Sequence, residues 1–272
     1  MSMPCGVWGY DSRWKAFVPC DGVPVSDRGF RFGMHVFETI AFRDGQLLLA
    51  PIHFDLLDMA CESTGFPLPP RTWLADLALV TAGLPDGVIR IFRTAGDGAP
   101  TAPVAEPRLL ALFEAVEIPT ALVPESGTAV ICEVPADDSP WVKSGNYWRH
   151  IRAQQRAVAS SATDAVLTTS DGWVLSAAMG NIFVSIEGDL ITPPAGPGVR
   201  PGAVREWLLQ NHTVIQRVLH RDELAHADEC FLTNSRVGLR PLTRVGDTVF
   251  PDSAGVRALW AGYQREVVDG SS

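Results

Sequence analysis

Basic charge is scarce in this chain: 22 Lys and Arg stand against 31 Asp and Glu, a net charge of −9 over 272 residues. No cluster of cations is present to neutralise a row of phosphates, so nucleic acid is not an expected partner. Paired cysteines are missing as well. Cys5, Cys20, Cys61, Cys132 and Cys230 are odd in number and widely scattered, with no C-x-x-C among them. Neither a disulfide framework nor a zinc site is indicated, and no metal is expected. No apolar run approaches the roughly 18 residues that span a bilayer. Met1-Ser2-Met3-Pro4-Cys5 has neither the charged nor the apolar region of a secretory signal. There is no internal repeat. Together these absences predict a soluble cytoplasmic protein with free thiols and no membrane partner.

What the chain does have is apolar content, 46% of its residues, enough for one large domain or two medium ones. Val36 to Phe42 reads as a strand, Asp44-Gly45 as a hairpin turn and Leu47 to Ala50 as the returning strand, because Asp-Gly readily takes the positive φ angles of a tight turn. From Ile52 to about Ser63 the apolar period becomes helical, and Arg71 to Ala82 makes a second helix. Val88–Thr94 and Leu109–Phe113 are strands, separated by a Gly-, Ala- and Pro-rich surface loop. Pro119 and Pro124 mark residues 118–126 as a linker. Beyond it come a strand at Thr128–Val134, a helix at Arg149–Ser160, strands at 164–169, 173–176 and 181–186, and a helix from about Ala203. Strands and helices are too mixed for an alternating parallel sheet, so the class is α+β. The division reads 1–117, an N-terminal domain; 118–126, a linker; and 127–272, a C-terminal domain carrying Lys143.

Near the centre lies Trp141-Val142-Lys143-Ser144-Gly145-Asn146-Tyr147. A lysine closing a short apolar run is positioned to lose part of its hydration, and desolvation favours the neutral amine. Such an amine serves as a nucleophile or a base. A lysine at the mouth of a turn is the plain alternative. Trp141, Trp148 and Trp173 either floor a pocket or pack in the core, with core packing the first expectation for so large an apolar group.

Four stretches share an order and spacing with a known family: Asp27-Arg28-Gly29-Phe30-Arg31-Phe32-Gly33 running into Val36-Phe37-Glu38-Thr39; Lys143 to Tyr147; Gly180-Asn181-Ile182-Phe183; and Gly198-Val199-Arg200-Pro201-Gly202. Ala227 to Ser235 fits as a fifth. The chain resembles the fold-type IV pyridoxal-phosphate enzymes, which include branched-chain aminotransferases, D-amino acid aminotransferases and aminodeoxychorismate lyases. That resemblance implies a two-domain class IV aminotransferase-like fold, an active-site cleft between the domains, a homodimer and a small-molecule substrate. Lys143 would bond covalently to pyridoxal phosphate and move the proton at the substrate's α-carbon. Val199, Gly202, Ala203, Thr233, Asn234 and Ser235 would hold the cofactor, with the helix N-terminus aimed at its phosphate. A polar turn is the plain reading of Thr233-Asn234-Ser235. His35, Arg31, Arg90, Trp141 and Tyr147 are the candidates for substrate binding. Alternation along a strand puts Arg90 and Arg93 on opposite faces, so at most one of them faces inward.

Three positions depart from the resemblance. The family's phosphate-binding arginine corresponds to Leu56, its pyridine-facing glutamate to Ser176 and its phosphate-contacting threonine to Val204. Two readings stay open. In one, the cofactor binds and Ser176 leaves the ring nitrogen a weaker electron sink, which favours elimination by a lyase over transamination. In the other, the phosphate site has been abandoned and Lys143 acts as an acid, a base or a direct Schiff-base former without the cofactor. A catalytically silent relative is the third possibility.

Overall fold

The computed structural model describes residues 6–11, 13, 16–122, 127–135, 142–250 and 254–270, apart from the side chain of residue 74. Two compact units emerge, residues 1–118 with 142–146 and residues 119–141 with 147–272. The first contains β1 (Val7–Asp11), β2 (Ala16–Pro19), α1 (Arg28–Phe32), β3 (His35–Arg43), β4 (Gln46–Leu47), α2 (Ala50–Thr64), α3 (Trp73–Thr81), β5 (Gly87–Thr94) and β6 (Arg108–Ala115). Its antiparallel sheet runs β2-β1-β6-β5-β3-β4. Ile40, Phe42, Ile89 and Ile91 from the sheet pack with Leu57, Ala60 and Leu77 from α2 and α3 in one core.

The hairpin turn forms where Asp-Gly predicts it, with Asp44 at φ 49° and Gly45 at φ 78°. The returning strand is only two residues long, because Leu49 takes a left-handed conformation as the N-cap of α2, which begins at Ala50 with Pro51 in its first turn. The Asp27–Gly33 stretch is a one-turn helix. Asp27 caps it by accepting from Gly29 N at 2.6 Å, and Gly33 ends it at φ 69°. Arg28 is buried and donates to the carbonyls of Ala95, Gly96, Ala99 and Ala102. One guanidinium therefore organises the loop that composition marks as a surface connection.

The second unit contains β7 (Gly127–Glu133), α4 (Trp148–Ala159), β8 (Asp164–Thr168), β9 (Trp173–Ala177), β10 (Asn181–Ile186), β11 (Asp189–Thr192), α5 (Ala203–Asn211), β12 (Ile215–Gln216) and β13 (Leu219–His220). A 3₁₀ turn at Arg221–His226 leads to β14 (Glu229–Asn234), β15 (Gly238–Val245), β16 (Thr248–Val249) and α6 (Ala254–Tyr263). The sheet runs β12-β11-β10-β14-β15-β7-β8-β9-β13, with β16 paired to β15. The last three elements have no counterpart in the sequence reading. Pro241 sits inside β15, and a proline argues against a central strand because it cannot donate to the ladder. It is accommodated next to the register shift between Leu242 and Arg244.

One assignment needs correction. The sequence reading gave Lys143 to the C-terminal half, but its segment packs as part of the first unit. Phe37 N donates to Lys143 O at 2.8 Å and Gly145 N to His35 O at 3.1 Å, with Val36 bridged to Ser144. The β3–β4 ladder covers only Phe42 and Arg43 of β3, so the N-terminal part of that strand has an edge to offer. The lysine segment fills it.

Candidate active site

The residues named from the sequence fall into two groups, one on each unit. On the first unit, pairing with β3 fixes the backbone of Lys143, and its side chain runs along the same strand. Nζ donates to Thr39 Oγ1 at 3.0 Å and lies 4.8 Å from the centroid of the Phe37 ring. Phe37 stacks on Phe92 at 5.5 Å, and His35 meets Phe92 edge-on at 5.7 Å. The lysine is half-buried, held by a hydroxyl and an aromatic face rather than extended into water. A primary amine so oriented can attack a carbonyl carbon or carry a proton.

Gly145 is required by this arrangement. A Cβ there would stand 2.8 Å from Gly33 Cα and 2.7 Å from His35 Cε1. His35 is half-buried, and burial lowers its pKa against the smaller opposing effects of the Gly29 carbonyl and Asp27. It is therefore neutral at neutral pH. With Nδ1 3.3 Å from Gly29 O, which can only accept, the proton sits on Nδ1 and Nε2 is left as an acceptor.

Other first-unit candidates divide by face. Register pairs Thr39 with Arg90 and Phe37 with Phe92, so Arg90 shares the lysine's face of the sheet while Arg93 is on the other. Arg90 is ion-paired with Glu114. Arg31 is exposed and covers the Phe32 ring at 4.7 Å. Behind the site, Glu38 Oε2 lies 2.9 Å from Nδ1 of the buried His53 of α2. One turn further along α2, Leu56 is buried at 7% exposure, and the helix carries no Arg or Lys.

On the second unit, Gly196 and Val199 exchange backbone hydrogen bonds of 2.9 and 2.8 Å around Pro197 and Gly198, the latter at φ 81°. This tight turn buries Val199 and leads to Gly202, the N-cap of α5. Among the described residues no side chain caps that helix, so its first amides are available to an acceptor, and a helix N-terminus favours an anion. Asn181 Nδ2 donates to Arg200 O at 2.7 Å, and a Cβ on Gly202 would collide with Asn181 Oδ1. Asn181 is in register with Thr233, whose buried hydroxyl has no hydrogen-bond partner among the described residues. A buried hydroxyl in that state costs free energy unless something fills the gap.

These donors suit the phosphate of pyridoxal phosphate: uncapped helix amides, an amide side chain and an orphaned hydroxyl. Asn234 does something else, since its Oδ1 accepts from the amides of Arg236 and Val237 at 3.0 Å each, a turn of the kind residue preference predicts. Ser235 is half-buried in the same turn. Ser176 is buried and its hydroxyl donates to Ala177 O at 3.1 Å. Val204 is buried too.

Tyr147 stacks on His150 at 4.9 Å, and His150 Nδ1 lies 3.0 Å from Ala178 O. Arg149 Nη2 reaches Gly198 O at 3.3 Å. Sequence reasoning missed Arg149, Thr39, Phe37 and Asn181 as site residues. Phe37, Thr39 and Asn181 lie within stretches that carry the family resemblance, and Arg149 left a signal as a cation two residues beyond Tyr147. The expectation of core packing fails for two tryptophans, since Trp148 is 70% and Trp173 43% exposed. Each flanks a helix or strand start where one face meets solvent. Trp141 lies outside the described residues.

The chain belongs to the class IV aminotransferase family, whose sequence profile matches residues 35–245. Members include aminotransferases and a lyase. It is 25% identical over 248 residues to a D-alanine aminotransferase from Bacillus licheniformis, covering 86% of this chain and 87% of that one. Among solved structures, a 4-amino-4-deoxychorismate lyase from Pseudomonas aeruginosa superposes with a TM-score of 0.81 at 25% identity, over 92% of this chain and 97% of that one. A hypothetical aminotransferase from Mycobacterium tuberculosis in its PLP-bound form gives the same TM-score at 19% identity, over 97% and 99% of the two chains. That last likeness bears on the fold alone. The enzyme class and the two-domain α+β fold follow from these findings. Among the described residues no helix is long and apolar enough to cross a membrane, and no group of side chains could hold a metal ion.

Proposed function

We propose that the chain is a pyridoxal-phosphate lyase of the class IV family that eliminates a good leaving group from a small amino-acid or amino-cyclohexadiene carboxylate. The observation that carries the preference for elimination is Ser176. Its hydroxyl is buried, uncharged and turned to the Ala177 carbonyl, where the family resemblance implies a glutamate. Pyridoxal phosphate, when bound, supplies an electron sink for charge left at the substrate's α-carbon. An uncharged partner for the ring nitrogen makes that sink weaker, and a reaction that expels a good leaving group needs it least.

In this reading Lys143 would hold the cofactor through its amine and would carry the proton at the substrate's α-carbon. Thr39 and Phe37 orient its amine. The turn at Gly198–Val199, Gly202 and Ala203 at the start of α5, and Thr233 hold the phosphate, while Tyr147, Arg90 and the neutral His35 bind substrate. The chain acts on its small-molecule substrate as a homodimer, which equilibrium sedimentation tests.

Purified protein mixed with pyridoxal phosphate should develop an absorbance band at about 410 nm. Borohydride should abolish that band, and Lys143→Ala should never form it. Offered 4-amino-4-deoxychorismate, the loaded enzyme should release an aromatic product faster than it passes an amino group to 2-oxoglutarate. Faster amino transfer would overturn the preference for elimination.

A second reading is favoured by Leu56 and Val204, both buried and apolar. Here Lys143 works without the cofactor, as a base or as a direct Schiff-base former. No band, together with borohydride trapping of a carbonyl substrate on Lys143, would select it.

A further inference from the structure

Arg93 is 6% exposed and satisfies its guanidinium on backbone carbonyls alone: Nε and Nη2 donate to Pro67 O at 3.2 and 3.1 Å, and Nη1 to Pro107 O at 3.3 Å. Among the described residues no carboxylate pairs with it. Burial lowers its pKa, and the one charge partner acting against that is Cys61. The Cys61 thiol is itself pushed up to about 12 by burial, so at neutral pH it offers no counter-charge. Nη1 bears two hydrogens and has one acceptor. A desolvated cation without a counter-ion is costly in a protein interior.

This guanidinium lines a cavity of about 560 Å³ whose wall includes Tyr10, Cys20, Leu68, Pro70 and Leu110, a volume in the range of small-molecule sites. The second arginine of the wall, Arg108, is already neutralised by Asp27 and Asp97 at 2.7 and 2.8 Å. Arg93 alternates with Arg90 and Phe92 along β5, and so sits on the opposite face of the sheet from Thr39 and Lys143.

We propose that this cavity is a second ligand site of the chain, separate from the Lys143 site, which takes a small monocarboxylate with an apolar or aromatic body. The carboxylate completes the hydrogen bonding of Arg93 and supplies its missing negative charge. The body lies against the leucine and proline side chains and the Tyr10 ring. Nothing in this assignment depends on pyridoxal phosphate.

Cys20 provides the reporter, because it lines the cavity and is half-buried while Cys61, Cys132 and Cys230 are buried. In a Cys5→Ser background the rate of its alkylation by iodoacetamide reads occupancy. The expected result is that 3-phenylpropionate slows alkylation saturably, at roughly millimolar concentration, whereas 3-phenylpropionamide does not. Arg93→Gln should weaken that protection about tenfold or more. Since Arg93 also ties down the Pro67–Leu68 turn, a second variant leaves it in place. Leu68 is 46% exposed, so Leu68→Glu sets a like charge at the rim without disturbing the core and should weaken protection, while Leu68→Lys should strengthen it. Lys143→Ala should leave protection intact. Equal slowing by acid and amide, no slowing by the acid, or loss of protection in Lys143→Ala would overturn the assignment.

Discussion

Thr39 holds the lysine's nitrogen, and the consequence of removing it follows from what remains. In Thr39→Val the shape of the strand is kept and the hydroxyl goes, while the Phe37 ring still faces Nζ. That bond holds Nζ in one orientation and is worth about 0.5–1.5 kcal/mol, so the rate at which added pyridoxal phosphate forms its band should fall severalfold, to about tenfold, with a melting temperature only slightly lower. Stopped-flow absorbance beside a melting curve separates the two quantities. Gly145→Ala should cost stability as well. The new methyl group meets Gly33 backbone and the His35 ring, and forcing it in costs about 1–3 kcal/mol. Its melting temperature should drop and band formation should fall with it, since Gly145 N is one of the bonds tying the lysine segment to β3. A Gly145→Ala protein with wild-type melting and wild-type band formation would remove the close approach from the account.

At the scale of elements, β8 carries the clearest pH signature. Asp164 opens that strand at 2% exposure, and burial raises its pKa to about 6 against hydrogen bonds from Ala165 and Met179 amides and the charge of Arg240. A carboxyl whose folded pKa lies above its ordinary value of 3.8 favours the folded state when protonated. Its contribution is therefore fully present below about pH 3.8 and is lost as pH rises through about 6. Two pKa units correspond to about 3 kcal/mol as an order of magnitude. Asp164→Asn keeps an oxygen for both amides and removes the titration. The variant should be more stable than the parent at pH 7 and converge with it near pH 4, as read by urea unfolding at both values. Equal gaps at the two pH values would show that Asp164 does not titrate in that window. The elements themselves were unevenly legible. The Asp-Gly hairpin and α2 follow from turn chemistry and apolar period, and α4 from its run of good helix formers. Helix α1 did not, because five residues hold too little period to read, and its meaning lies in a cap and in a guanidinium that reaches carbonyls 67 to 74 positions away. The partner strand of Lys143 was equally hidden. A lysine bonding to a threonine 104 positions earlier leaves no local pattern, so the residue was legible while the unit it joins was not.

Across the whole molecule, the three departures from the family pattern share one property that the sequence could not reveal: Leu56, Ser176 and Val204 are all buried, at 7%, 4% and 1% exposure. Leu56 belongs to the first unit and the other two to the second. Restoring the family residues in a Leu56→Arg, Ser176→Glu, Val204→Thr variant therefore inserts two buried charges and one buried hydroxyl. Each charge is unfavourable until a ligand pairs with it. The protein without cofactor should lose stability, by several kcal/mol if neither charge finds a partner within the chain. Pyridoxal phosphate should bind about tenfold tighter or better, because an arginine against a phosphate is a charge-assisted contact, and its presence should recover the lost stability by mass action. The arginine and the glutamate leave the net charge at −9, so a general change in attraction for a dianion cannot mimic the result. Val204→Thr alone keeps the side chain's shape but buries a hydroxyl, so it should give a small share of the affinity at a cost of about 1–3 kcal/mol while that hydroxyl lacks a partner. A triple variant that melts earlier yet binds the cofactor no better would mean that these side chains face the core rather than the ligand, and that the loss of the arginine says nothing about how this chain holds a phosphate.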